Sequence, residues 1–502
     1  MKILIVVPHS DFAPTLPLGP LSIASYLNAH GHEAVICDCM PDPDAIKPYL
    51  HDSAKPGLLA LSLMASSALR QARTVAAAFR EMGVPSVWGG GFTAAFSDTI
   101  LESGCADYVS LGDGELSILQ LADALEGKRE LSAVSGLIYR DNGRIVANEA
   151  ACLPAEELPR LDLTLVDPAK YAHPMFCTKK MVHLYRSKGC PFNCTFCARK
   201  LSGDVRYRAR SMEDVIAEIR YLVTECGCDG IYFYDELWCL NQEAAFQFCD
   251  RIQQENLPFY FGCYARVGQY DRKGFEKLYA AGCRWMVFGI ETGSAQLRAK
   301  LNKHLDEQAI YETFEICHEL GIVTQAAFIV GLPGETEADL KKTVDMAFGI
   351  RADLLPFSNF TPIRGSVLYD ELVQSGRLRE EHDIDALEKK LFPVERVRPN
   401  YSEVPTKDLH VVRAFFRWCG FSNSGNNLSR LEIPKEMAKR YLTVMFPKGK
   451  ISFSGIADSM TVLFDVLFNV FLHPGIRRKY GLYKKNFANK KAAHRAENKE
   501  KP

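Results

Sequence analysis

Two successive series of short apolar runs, each run separated from the next by a helix-period segment, restrict this chain to parallel sheets covered by helices. The first series, within residues 1–130, reads "KILIVV", "EAVICD", "LLALSLM", "SVWGG" and "DYVSLG", with segments such as "PLSIASYLNAHG" and "ALRQARTVAAAFREMG" between them. The runs are continuously apolar rather than alternating, so helices are expected on both faces, as in a doubly wound parallel sheet. "GLIYRDNGRIVANEA" over 136–150 predicts a hairpin turning at Asn-Gly. A Pro-containing linker then runs to about 175.

The second series begins near 181 with "MVHLYRS", "GIYFYDE", "FYFGCYA", "RWMVFGIE", "VTQAAFIVG" and "DLLPFSNF". Helical patterns separate these at about 212–226, 242–255, 272–281, 306–319 and 336–350, the first opened by the capping pair Ser211 and Asp214. Six βα units are two short of a closed eight-unit barrel, so an open partial barrel is expected. The two sheet domains are both α/β. A Rossmann-like domain occupies 1–135, hairpin and linker 136–175, a partial TIM-type (β/α)6 barrel 176–375, a mainly helical region 376–483, and a basic, disordered tail 484–502.

A net charge of -1 gives no global field toward nucleic acid. The opening "MKILIVVPHS" has too short an apolar run for a signal peptide, which predicts a cytoplasmic protein. Its 16 cysteines are scattered through apolar segments, as expected of reduced, buried thiols. One group departs from that pattern.

In "RSKGCPFNCTFCARK", Cys190, Cys194 and Cys197 sit in a loop marked by Gly, Pro and Asn, directly after the first barrel strand. Barrel enzymes place their chemistry at that face. A structural tetrahedral metal wants four protein ligands, and only a distant residue such as His183 would complete a zinc site. Three soft thiolates instead suit three irons of a 4Fe-4S cluster, with the fourth iron open to a substrate.

With this C-x3-C-x2-C loop, and Phe196 before its last cysteine, the stretch over roughly 180–370 resembles the radical S-adenosylmethionine (SAM) enzymes. The resemblance implies that SAM chelates the open iron and is cleaved reductively to methionine and a 5'-deoxyadenosyl radical. It also implies roles at the other strand ends. Asp235 or Glu236, with Glu236 slightly preferred, would receive the SAM ammonium, and Tyr264 and Arg266 end the third strand, Arg266 suited to a carboxylate. Glu291 and Ser294 would contact ribose and methionine, and Gly331 and Gly334 in "FIVGLPGET" would pack adenine.

The first domain resembles the cobalamin-binding domain of the B12-dependent class of that family. The matching pieces are "PLGPLSIASYLNAHGHEA", "VWGGGFTAAF" and "VSLGDGE", and they point to Leu18, Gly19, Gly89, Gly90, Gly91, Gly112, Gly114 and Glu115 as cobalamin-binding residues. The D-x-H-x-x-G motif that supplies a cobalt-ligating histidine elsewhere is absent, and "DLHVVR" at 408–413 lacks its glycine. The class usually holds cobalamin without such a histidine. No G-x-G-x-x-G opens a helix after the first strand, which argues against a nicotinamide cofactor. Cys37, Cys39 and Cys105 lack the compact spacing of a second cluster.

Near the carboxyl end, Asp458, Thr461, Asp465 and Asn469 form a narrow polar stripe on an otherwise apolar helical pattern too short to span a bilayer. Residues 477–502 then carry ten Lys/Arg against two Glu. The segment 456–485 reads either as a helix packed against the barrel mouth or as a peripheral contact at the inner membrane face.

The resemblance implies a cobalamin-dependent methyltransferase acting on an unactivated carbon of a small, apolar or lipid-like molecule, with a flavodoxin or ferredoxin as electron donor. A radical cyclase, rearrangement or carbon-carbon coupling enzyme is the alternative, and a non-catalytic iron-sulfur electron carrier or redox sensor is the reading from a different class. Thr361, Arg364 and Trp418 are candidate pocket residues.

Overall fold

The computed structural model describes residues 1–10, 14–51, 55–198, 206–390, 399–422, 474–480 and 482. Its first sheet contains five parallel strands, β1 (Lys2–Val7), β2 (Glu33–Asp38), β3 (Leu58–Ser62), β4 (Ser86–Gly89) and β5 (Tyr108–Ser110), in the order β2-β1-β3-β4-β5. The helices between them are α1 (Leu18–Ala29), α2 (Leu69–Glu81), α3 (Gly91–Ala95), α4 (Ser97–Glu102) and α5 (Gly114–Leu125). Ile3, Ile5, Leu58 and Ala60 pack against α1 and α5, whereas Leu4, Val6, Leu59 and Leu61 pack against α2. Successive strand residues thus serve opposite helix layers, which is why the runs are apolar without alternation.

The strand order reverses between β1 and β3, and ligands of such sheets bind in the crevice at that point. Hairpin strands β6 (Leu137–Asp141) and β7 (Arg144–Ala147) turn at Asn142 and Gly143, both with positive φ. They extend the first sheet antiparallel from β5, so this sheet runs past the expected domain limit at 135.

The second sheet runs β8 (His173–Met175), β9 (Thr178–Leu184), β12 (Gly230–Phe233), β13 (Tyr260–Ala265), β14 (Cys283–Glu291), β15 (Val323–Val330) and β16 (Phe357–Asn359), all parallel except β8. The two remaining strands, β10 (Ser187–Lys188) and β11 (Arg208–Ala209), form a separate antiparallel ribbon. Six parallel strands agree with the open partial barrel, and the antiparallel edge strand was not anticipated.

Around the barrel lie α6 (Met212–Thr224), α7 (Gln242–Glu255), α8 (Arg272–Ala280), α9 (Ala295–Lys300), α10 (Glu307–Leu320) and α11 (Glu337–Gly349). Ser211, Asn241, Asp271, Ser294, Asp306 and Thr336 start them by accepting an otherwise unpaired backbone N-H of the first turn. Further helices among the described residues are α12 (Val367–Gln374), α13 (Ile384–Lys390), α14 (Thr406–Ser422) and α15 (Pro474–Tyr480). Asp408 on α14 accepts hydrogen bonds from Lys479 and Tyr480 of α15.

Leu16 and Leu21 of the first domain share one buried cluster with Val215, Ile216 and Phe233 of the barrel, so the domains meet across an apolar seam. The polar-striped stretch 456–472, the tail from 484 and the side chain of Trp418 lie outside the described residues. No helix among the described residues is long and apolar enough to cross a membrane.

Candidate active site

The three cysteines of the loop after β10 are half-buried, and no disulfide involves them. Backbone bonds fix the loop: the Cys197 N-H donates to the Cys194 carbonyl, the Thr195 N-H to that of Leu301, and the Leu368 N-H to that of Thr195. Phe196 packs against the cluster formed by Leu297, Leu301, Leu332 and Phe360. Gly189 has φ +83, and a Cβ there would lie 2.1 Å from the Arg206 carbonyl, so only glycine lets the loop close on itself.

Two cations face the thiols. The Arg266 guanidinium lies 4.0 Å over the ring of Phe192, and the Lys303 ammonium lies 5.9 Å over that of Phe196. Burial pushes the Cys194 thiol up, while Lys303 and Arg266 pull it down. Among the described residues, no three His, Cys, Asp or Glu side chains converge on a point that could hold a single ion. In a cluster each thiolate would bind its own iron, so the three sulfurs need not meet at one point.

The other strand ends depart from expectation in instructive ways. Asp235 is buried and accepts from the Arg186 and Ser187 backbone N-H groups and the Ser187 hydroxyl, so it pins β10 rather than facing the lumen. Burial pushes its carboxyl up to about 6. Glu236 beside it is exposed. Ser294 is fully buried, donates to Asp339 at 2.7 Å and caps α9. Glu291 follows a bulge with φ +67 and pairs with Lys303 at 2.9 Å. Gly289 makes room for that pair, since a Cβ there would lie 2.4 Å from the Glu291 carboxylate.

Arg266 also donates to the carbonyls of Lys303 and His304. Gly331 and Gly334 both have positive φ, and the Gly331 N-H donates to the buried Glu335. Arg364, a candidate pocket residue, forms a two-pronged ion pair with Asp98 of the first domain. Thr361 donates to the Asn359 carbonyl at 3.4 Å.

The inner sheet face below the cysteine loop is aromatic. Tyr232 stands in register with His183 and Gly262, and Gly262 with Trp285, so their side chains share one face. Rings of His183, Tyr232, Tyr234, Tyr264 and Trp285 lie 4.1–6.1 Å from their neighbours, and Tyr234 is 49% exposed.

At the carboxyl ends of the first sheet, Leu18 and Gly19 open α1, and the space a Gly19 side chain would fill is empty. Gly89 ends β4, Gly90 has φ +96, and Gly91 faces Met64. Met64 follows β3 beside the strand-order reversal and is 76% exposed, while His9 is exposed after β1. An apolar side chain and open glycine backbone at this crevice fit a large, flat cofactor.

Glu115, expected at the cobalamin site, is buried, accepts from Ser22 and pairs with Lys188 at 2.5 Å, so it also joins the domains. Gly112 has φ +80, and a Cβ on Gly114 would lie 2.6 Å from Ile23. Both glycines shape the loop that carries Asp113 and Glu115. Asp113, Lys188, Arg208, Lys303 and Met64 were not singled out from the sequence.

Comparison with known proteins agrees with this arrangement. The radical SAM superfamily model matches residues 184–347, and the B12 binding domain model matches residues 5–122. The chain is 30% identical over 400 residues to an uncharacterized methyltransferase of Pyrococcus horikoshii, covering 75% of this chain and 84% of that protein. It is 28% identical over 368 residues to the anaerobic magnesium-protoporphyrin IX monomethyl ester cyclase of Rubrivivax gelatinosus, covering 70% and 65%. Its fold is that of the radical SAM methyltransferase TsrM of Kitasatospora setae, solved with cobalamin and a [4Fe-4S] cluster, with TM-score 0.63, 19% identity and coverage of 74% and 75%.

Proposed function

The chain belongs to the radical SAM superfamily, in the class with an amino-terminal B12-binding domain, and from that premise we propose that it methylates an unactivated carbon of a small, apolar molecule. The observation that carries this reading is the approach of the two domains. The cysteine loop and the first domain's "LGDGE" loop meet through Lys188 and Glu115 at 2.5 Å, so the ribbon that carries the three cysteines rests directly on the first domain.

When bound, the cluster, SAM and cobalamin supply reducing power, a carbon radical and a methyl carrier. The chain's own residues do the rest. Cys190, Cys194 and Cys197 hold the cluster and leave one position open. Glu236, Arg266 and the Glu291–Lys303 pair orient SAM by charge. Gly331 and Gly334 bring backbone against it, and Phe196 seals the loop from water. Gly19, Gly89, Gly90 and Gly91 accept cobalamin. The aromatic inner face of His183, Tyr234 and Tyr264 suits a flat apolar acceptor, and the likeness to an enzyme named for a tetrapyrrole ester supports that class.

The same likeness favours a second reading, ring formation without net methyl transfer. In either reading a flavodoxin or ferredoxin supplies the electron and the protein works in the cytoplasm, at the inner membrane face when the substrate is a lipid. The deciding experiment incubates the reduced holoenzyme and extracted metabolites with SAM trideuterated at its methyl group. A product carrying the deuterated methyl supports methylation, whereas 5'-deoxyadenosine with an unlabelled, dehydrogenated product establishes ring formation instead.

A further inference from the structure

The ribbon at the base of the cysteine loop has a specific electrical design. Lys188 and Arg208 are cross-strand partners in β10 and β11, so the two cations stand side by side where the loop of 189–207 leaves and returns. Lys188 reaches Glu115 at 2.5 Å and Asp113 at 3.6 Å. Arg208 grips Asp113 through both of its terminal nitrogens. Asp113, Glu115 and Arg208 are all buried. Further bonds hold the acids: Glu115 accepts from Ser22, whose hydroxyl accepts from Tyr185 at 2.9 Å, and Asp113 accepts from the Leu153 N-H at 2.9 Å.

Buried ion pairs of this kind add little stability over apolar packing of equal volume, but they penalise misalignment heavily. Cohesion here already comes from the apolar seam that includes Leu16 and Leu21. What two acids on one domain and two bases on the other add is register. A forked Arg-carboxylate contact tolerates little sliding or rotation. Cys190 is two residues from Lys188, so any shift of the ribbon against the first domain moves the first thiol with it. On the other side, Asp113 and Glu115 sit at the start of α5, which follows β5 at the corrin-binding end of the sheet.

We propose that Lys188, Arg208, Asp113 and Glu115 form an interdomain clamp that sets the spacing between the cluster loop and the cobalamin face. These are positioning residues: they act through the loop, not on the substrate. The proposal rests on the family membership that supplies both cofactors, not on the identity of the acceptor.

The test uses the full-length holoenzyme and the double variant Lys188→Met/Glu115→Gln, which removes an opposed pair without stranding a buried charge, with Lys188→Arg as the conservative control. Iron and cobalamin per chain are measured first. Pulsed dipolar EPR between the reduced cluster and cob(II)alamin then reads the spacing directly. One narrow distance is expected in the parent and in Lys188→Arg, and a shifted or broadened distribution in the double variant with both cofactors retained. The ratio of product to 5'-deoxyadenosine should fall at least tenfold in the double variant. An unchanged distance distribution overturns the proposal, and so does loss of either cofactor, since the pairs would then serve folding. The spin measurement needs no substrate, so it separates failure of the clamp from failure of the methyl-transfer reading.

Discussion

Arg266 lies 4.0 Å over the ring of Phe192, which stands between the first two cysteines of the loop. The stack holds a guanidinium at the rim of the barrel with its charge directed toward Cys190 and Cys194. A carboxylate ligand arriving there would gain a charge-assisted bond. Arg266→Met should therefore raise the KM for SAM about tenfold, matching roughly 1.5 kcal/mol for such a bond. Arg266→Lys should recover part of the loss, because charge returns without the fork. Steady-state SAM cleavage checks this, and an unchanged KM in Arg266→Met would remove Arg266 from the SAM site.

Met64 predicts a different loss. Its side chain is 76% exposed at the crevice between β1 and β3, so its truncation costs the fold little. Met64→Asp should weaken cobalamin binding at least tenfold with iron content and Tm unchanged, and Met64→Leu should bind normally. Cobalamin titration followed by absorbance decides it. His9→Ala should leave the cob(II)alamin EPR spectrum as it was, in keeping with the absence of the D-x-H-x-x-G setting.

Glu335 makes stability depend on pH. It is fully buried, accepts the Gly331 N-H with one oxygen, and its other oxygen has no hydrogen-bond partner among the described residues. Burial pushes its carboxyl up to about 7 from an ordinary 4.5. Between those values the folded chain keeps a proton that the unfolded chain has released, so stability falls as pH rises through this window and stays lower above it. Glu335→Gln keeps the acceptor for Gly331 and removes the ionisation. The variant should match the parent near pH 5 and exceed it by roughly 1–3 kcal/mol at pH 8. Thermal unfolding at the two pH values tests this, and an equal difference at both would contradict it.

Much of this was legible in the sequence because its signals are local. The apolar runs marked the parallel strands, and the spacing of Cys190, Cys194 and Cys197 marked the loop. What escaped is non-local or too short to carry a period. The two-residue strands of Lys188 and Arg208 pair across a loop of 19 residues, and nothing near Asp113 shows that Arg208 will reach it. The family resemblance implies ligand contacts for Asp235 and Ser294, and nothing near either residue in the sequence shows the local bonds each makes. Burial turned both to local bonds, with the Ser187 backbone and with Asp339. The hairpin was recognised by its turn, but its attachment to β5 depends on an exposed sheet edge that sequence periodicity does not reveal.

The central claim is that one chain holds a three-cysteine cluster and cobalamin together. Iron and cobalt per chain, measured after anaerobic purification from cells supplied with cobalamin and after cluster reconstitution, test it most directly. About four irons and about one cobalt are expected, with iron lost and cobalt kept in Cys194→Ser. About four irons with no cobalt under the same conditions would contradict it, leaving a radical barrel whose first domain serves another ligand.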